Sequence, residues 1–123
     1  MINWFKRTSK KFINAMKGML VMIREEKSLW VHFFATIFVI IMGIVFDIEA
    51  YEWIAIIFSI VLVIGFEIIN TAIEYIVDIV SFEYNVKAKK VKDVAAMATL
   101  VVTIGAIIIG LIIFLPKISE LFA

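Results

Sequence analysis

The chain has 123 residues, of which 64% are hydrophobic and 19% charged, and its net charge is only +1. Soluble domains use roughly 45 to 50% apolar residues, so this composition excludes an ordinary soluble fold and indicates one domain, residues 1–123, built for a bilayer. The chain has no cysteine, which excludes disulfides, thiolate catalysis and cysteine-based metal sites.

From Met1 to Glu26 apolar and basic residues alternate with helical spacing. Phe5, Phe12, Met16, Met19, Leu20 and Ile23 share one side, and Lys6, Lys10, Lys17 and Arg24 recur on the other. The pattern predicts an amphipathic helix lying in the membrane interface over residues 1–26. A basic nucleic-acid-binding arm is the alternative for those charges, and the interleaved apolar face argues against it, so no nucleic-acid partner is expected. A clean apolar core with a small-residue cleavage site is missing ahead of the first span, so the N-terminus is expected to be retained.

Two uncharged runs follow, Ser28 to Phe46 (19 residues) and Val94 to Pro116 (23 residues). Each is near the ~20 residues that cross ~30 Å of hydrocarbon. Between them, residues 53–82 form the middle span, second in chain order, whose charges are tolerable only if they share a face. The expected fold is an all-α integral membrane protein, one interfacial helix plus transmembrane helices at 28–46, 53–82 and 94–116. Eleven of the twelve Lys and Arg precede the first span or lie between the second and third, whereas residues 47–52 carry only acids. The positive-inside bias then puts the N-terminus and the second loop in the cytoplasm.

The second span holds the chemistry. Glu67, Asn70, Thr71, Glu74 and Asp78 recur at steps of three and four, forming one polar ridge. Ionisable groups in hydrocarbon are costly and mark functional sites. Counted at 1.5 Å per residue from Trp53, Glu67 is reached after about 21 Å and Glu74 after about 32 Å. Glu67 therefore lies inside the cytoplasmic leaflet and Glu74 at its rim, with Asp78 and Glu83 in the headgroup region. Such a ridge connects the polar end of a lipid with a soluble, highly charged cosubstrate.

Glu26, Glu74, Lys92 and Asp93 all fall at that membrane face. Two carboxylates and a lysine suit Mg²⁺ together with substrate phosphates; rim charges or a simple ion pair are the plainer reading for Glu26 and Lys92. A desolvated Glu67 suits a general base for a hydroxyl proton, and a proton-relay acid has the same signature. Asn70 can hold an acid or a neighbouring helix. His32, the only histidine, suits a packing or headgroup hydrogen bond better than a metal. In the third span Ala95, Thr99, Thr103, Ala106 and Gly110 recur in register, which favours close helix packing. Three helices cannot fully shelter the ridge, so a homo-oligomer is expected. Soluble nucleotide-binding glycine motifs are absent from the sequence. A lipid-modifying enzyme and an ion-coupled carrier stay open, with the cytoplasmic bias of the polar groups disfavouring the carrier.

The run Glu67-Ile-Ile-Asn70-Thr71-Ala-Ile-Glu74-x-x-x-Asp78, followed by Lys92-Asp93-Val-Ala-Ala, resembles the double signature of the prokaryotic diacylglycerol kinase family, in particular its Gram-positive undecaprenol kinase branch. Lys17-Gly18, Glu26, Glu83-Tyr84 and Pro116-Lys117-Ile118 extend the resemblance along nearly the whole chain. It implies a homotrimer with composite active sites in a bacterial cytoplasmic membrane, transferring the γ-phosphate of ATP, with Mg²⁺, to a lipid hydroxyl. By matching position, Glu67 is the implied general base, supported by Asn70 and Lys92, and Glu26 with Glu74 the implied Mg²⁺ ligands. Arg7, Asp78, Glu83, Tyr84, Lys92 and Asp93 fall to the nucleotide; Ser28 and His32, with Glu67, fall to the lipid. Undecaprenol is the expected acceptor, diacylglycerol the alternative, and a non-enzymatic scaffold or proton-coupled carrier the remote one. The chain departs from the usual E-x-N-x-R-x-H by Ser28 and Trp30, carries Asn85 where histidine is common, and has Met97 for a usual glycine.

Overall fold

A computed structural model describes residues 1–81, 83 and 85–123, and their regular structure is four helices: α1 (Ile2–Glu25), α2 (Lys27–Val45), α3 (Ala50–Val80) and α4 (Val86–Leu121). The last three are each long and apolar enough to cross a membrane. Most of their large apolar side chains, Phe34, Phe38, Ile54, Phe58 and Ile112 among them, point outward, where lipid rather than water is the solvent.

Local chemistry sets the helix ends. Glu49 and Glu52 form a reciprocal capping box that starts α3. Asn85 caps α4, its side-chain oxygen accepting from the Lys87 amide at 2.8 Å. The turn between α2 and α3 passes through Asp47 at φ 48°, a left-handed position that Asp tolerates better than most residues. Helix α4 starts well before the uncharged run, taking in Lys87 to Asp93, and continues through Pro116.

α3 and α4 pack together along their lengths, α2 lies on α3, and α1 reaches mainly α2. The apolar core is concentrated near the α2–α3 turn, where Ile48, Ile56, Ile113 and Phe114 are buried and Met42 and Trp53 pack on them. There Gly43 admits the Trp53 indole so closely that a β-carbon would lie 2.5 Å from the ring. Across the same end, Lys117 Nζ sits 3.2 Å from the buried Glu52 carboxylate. The opposite end, which carries the acidic ridge, is held by polar contacts.

Candidate active site

Helix α3 places Glu67 where α2 begins. Its side chain is buried, at 7% exposure, within a single chain. Ser28 Oγ donates to Glu67 Oε1 at 2.5 Å, and His32 Nε2 lies 3.6 Å from Oε2. The second distance is too long for a hydrogen bond. Both residues expected at the acceptor lipid therefore stand on the carboxylate expected to take its proton. A carboxylate offers about four lone-pair sites, so Glu67 retains capacity for a further donor. The expectation that three helices leave the ridge open holds for the half-buried Glu74 and the exposed Asp78; Glu67 and Thr71 are exceptions, both buried within the single chain.

One turn further, Asn70 Nδ2 donates to Glu74 Oε1 at 3.3 Å, so Asn70 orients Glu74 rather than Glu67. Asn70 Oδ1 is buried with no partner among the described residues. Glu26 occupies the joint between α1 and α2, in an extended conformation that belongs to neither helix. Burial, followed by the negative charges of Glu74, Glu67 and Glu25, pushes its carboxyl above the usual range. Carboxylates from two elements that repel one another suit a hard divalent cation. No group of three or more ligating side chains stands together among the described residues. Two carboxylates are what a Mg²⁺ site completed by substrate phosphates and water would ask of the chain.

Beyond Glu74 the ridge opens into a polar cleft of about 340 Å³ between the ends of α3 and α4, lined by residues that include Asp78, Ser81, Glu83, Asn85, Lys89 and Lys92. Lys92 Nζ pairs with Asp78 at 2.6 Å and lies in the field of Glu74. Asp93 pairs instead with Lys89, one turn back along α4, at 2.7 Å. Glu83 is exposed, with its backbone carbonyl accepting from Ser81. Tyr84 lies outside the described residues. Arg7 is exposed on the first turns of α1 and makes no hydrogen bond or ion pair among the described residues, so the structure does not bring it to the cleft.

A second, apolar cavity of about 210 Å³ lies between α2, α3 and α4. His32 lines its end nearest Glu67, and the small residues Ala106 and Gly110 line its α4 wall. Two residues absent from the sequence-based site stand instead at the joint between α1 and α2. Tyr75 donates its hydroxyl to the Glu25 carboxylate, and Trp30 Nε1 donates to the Ile23 carbonyl at 3.2 Å. Their signals in the sequence are slight: Tyr75 directly follows Glu74, and Trp30 stands where the family pattern usually has arginine.

Residues 13–114 match the sequence model of the family described as prokaryotic diacylglycerol kinase. The chain is 36% identical over 115 residues to undecaprenol kinase of Bacillus subtilis (strain 168), covering 94% of each protein. It is 32% identical over 111 residues to a diacylglycerol kinase of Synechocystis sp., covering 89% of this chain and 63% of that protein. With the paired motifs, the helical architecture and these similarities in agreement, the chain belongs to the prokaryotic diacylglycerol kinase family.

Proposed function

We propose that this protein is an ATP-dependent lipid kinase that phosphorylates the hydroxyl of undecaprenol at the cytoplasmic face of a bacterial membrane, working as a homotrimer with Mg²⁺. The observation that carries the mechanism is the buried Glu67 carboxylate, fixed by Ser28 and lying 3.6 Å from His32, which lines an apolar cavity. Undecaprenol is favoured over diacylglycerol by the relative from Bacillus subtilis, which aligns over 94% of both chains. The cavity beside His32 supplies apolar space for the first part of a hydrocarbon tail; a cavity of about 150 Å³ already holds a benzene ring.

In the reaction, the acceptor hydroxyl donates to Glu67, which takes the proton as the lipid oxygen bonds to the γ-phosphorus. The bond from that phosphorus to the β,γ-bridging oxygen breaks, and ADP leaves with the electron pair. Ser28 holds Glu67 in its acceptor orientation. Lys92, steered by Asp78, neutralises charge on the transferred phosphoryl group, while Asn70 keeps Glu74 aimed at the same region. Held by Glu26, Glu74 and the nucleotide phosphates, Mg²⁺ would supply further charge neutralisation there.

The lysine-rich segments on both flanks of the ridge support a cytoplasmic N-terminus and site. The exposed α3 and α4 surfaces beside a half-buried Glu74 and an exposed Asp78 support completion of the site by a neighbouring subunit. The test is transfer of labelled γ-phosphate from ATP to undecaprenol and to diacylglycerol in parallel, with Glu67→Gln and Glu74→Ala as controls. Faster labelling of undecaprenol that both substitutions abolish supports the proposal. Preference for diacylglycerol overturns the acceptor and keeps the chemistry, and activity surviving in Glu67→Gln removes the base assignment.

A further inference from the structure

The two carboxylates proposed to share a cation reach each other from unequal supports. Glu74 projects from the C-terminal part of a continuous helix and is oriented by Asn70. Glu26 projects from the single extended residue between α1 and α2, and its side chain makes no hydrogen bond among the described residues. It is also repelled by Glu74, Glu67 and Glu25. A joint of one acidic residue with three more acids around it should swing open unless another contact restrains it.

We propose that Tyr75 and Glu25 form a latch that fixes the α1–α2 joint against α3 and so holds Glu26 opposite Glu74. Both are positioning residues for the cation site. The inference rests on the reading of Glu26 and Glu74 as its ligands.

The hydrogen bond from the Tyr75 hydroxyl to the Glu25 carboxylate joins residues 50 apart in sequence, and each is the immediate chain neighbour of one proposed ligand. Successive residues on a helix project about 100° apart. Tyr75 can therefore reach Glu25 along one face of α3 while Glu74 points toward Glu26 along the next. Trp30 closes the joint from its other side by donating to the Ile23 carbonyl in the last turn of α1, which fixes α1 to α2 but not to α3. Of the α1 side chains only Met22 is buried, and Phe5, Phe12 and Met19 are exposed for contact with lipid. The seat of α1 thus depends on the bilayer. The Tyr75 contact transmits that seat to the cation site.

The test measures Mn²⁺ binding by electron paramagnetic resonance on the full chain in lipid nanodiscs. Glu74→Gln, which should abolish binding, tests the ligand reading separately. Tyr75→Phe, which removes one hydroxyl and keeps the ring, should weaken Mn²⁺ binding about tenfold, the lower end of what lost supporting contacts cost metal sites. Glu25→Ala should weaken it comparably, and the double variant should be no weaker than either single one. Unchanged affinity in Tyr75→Phe, or single effects that multiply in the double variant, overturns the latch while loss in Glu74→Gln preserves the ligand reading. Full binding in Glu74→Gln overturns the ligand reading, and the latch with it.

Discussion

Ser28 Oγ donates to Glu67 Oε1 across 39 residues of chain, joining the first turn of α2 to the middle of α3 at 2.5 Å. A hydrogen bond to a charged group contributes about 1.5–3 kcal/mol. Ser28→Ala should therefore lower kcat by about 10- to 100-fold and leave the KM for ATP nearly unchanged. Steady-state kinetics in mixed micelles with saturating undecaprenol separates these effects. Ser28→Thr, which keeps a hydroxyl, should recover part of the loss.

Lys92 and Asp78 make the corresponding pair in the polar cleft. Lys92→Ala removes the cation expected at the transferred phosphoryl group and should cut kcat/KM for ATP on the order of 100-fold. Asp78→Asn should cost less, since the ammonium remains and loses only its guide. Equal losses would show that Asp78 contacts the nucleotide itself, and initial rates over a range of ATP concentrations decide the point.

Glu26 supplies a prediction about stability. Its carboxyl is held above its ordinary range by burial and by Glu74, Glu67 and Glu25, so its ionised form is disfavoured in the folded chain. The folded value lies above the unfolded one. Stability is therefore lost as pH rises from the ordinary carboxylate value through the raised one. Glu26→Gln should raise the thermal midpoint at pH 7 without divalent cations and abolish the further rise that Mg²⁺ gives the wild type. Scanning calorimetry in detergent with and without Mg²⁺ checks both halves.

Gly43 and Trp53 test the apolar end of the bundle. A methyl group at position 43 would meet the indole at 2.5 Å, whereas one at Gly105 meets nothing within 4 Å. Gly43→Ala should destabilise by about 1–3 kcal/mol through overpacking. Gly105→Ala should be neutral or stabilising, because alanine favours a helix. Thermal unfolding of the two variants side by side provides the comparison.

At the same end, Lys117→Ala leaves the buried Glu52 without its cation and should destabilise more than the double replacement Glu52→Gln with Lys117→Met, which removes both charges. Midpoints of thermal unfolding in one detergent rank the variants.

The polar ridge was legible in the sequence because acids at helical spacing stand out in an apolar segment, and Glu67, Asn70, Thr71, Glu74 and Asp78 all fall on the one helix α3. Their partners were less legible. Asn70 serves Glu74 rather than Glu67, a choice between two neighbours one turn away that spacing cannot make. Nothing in local spacing pairs Lys117 with Glu52, which is 65 residues distant. Three departures from the family pattern acquire local reasons. Ser28 holds Glu67, Trp30 closes the end of α1, and Asn85 caps α4. Each depends on where a second chain segment or a particular amide ends up in space. Met97 is exposed, and nothing in the structure explains it.

Glu52 and Glu67 are both buried on α3, and the helix between them rises only about 22 Å. The hydrocarbon of an average bilayer is ~30 Å deep. With Glu52 near one interface, Glu67 stops about 8 Å short of the other, and a thicker host bilayer sets it deeper. Bilayer thickness then becomes a control on turnover: short-chain hosts favour the protein's working position, and long-chain hosts draw Glu67 away from the water that brings its nucleotide.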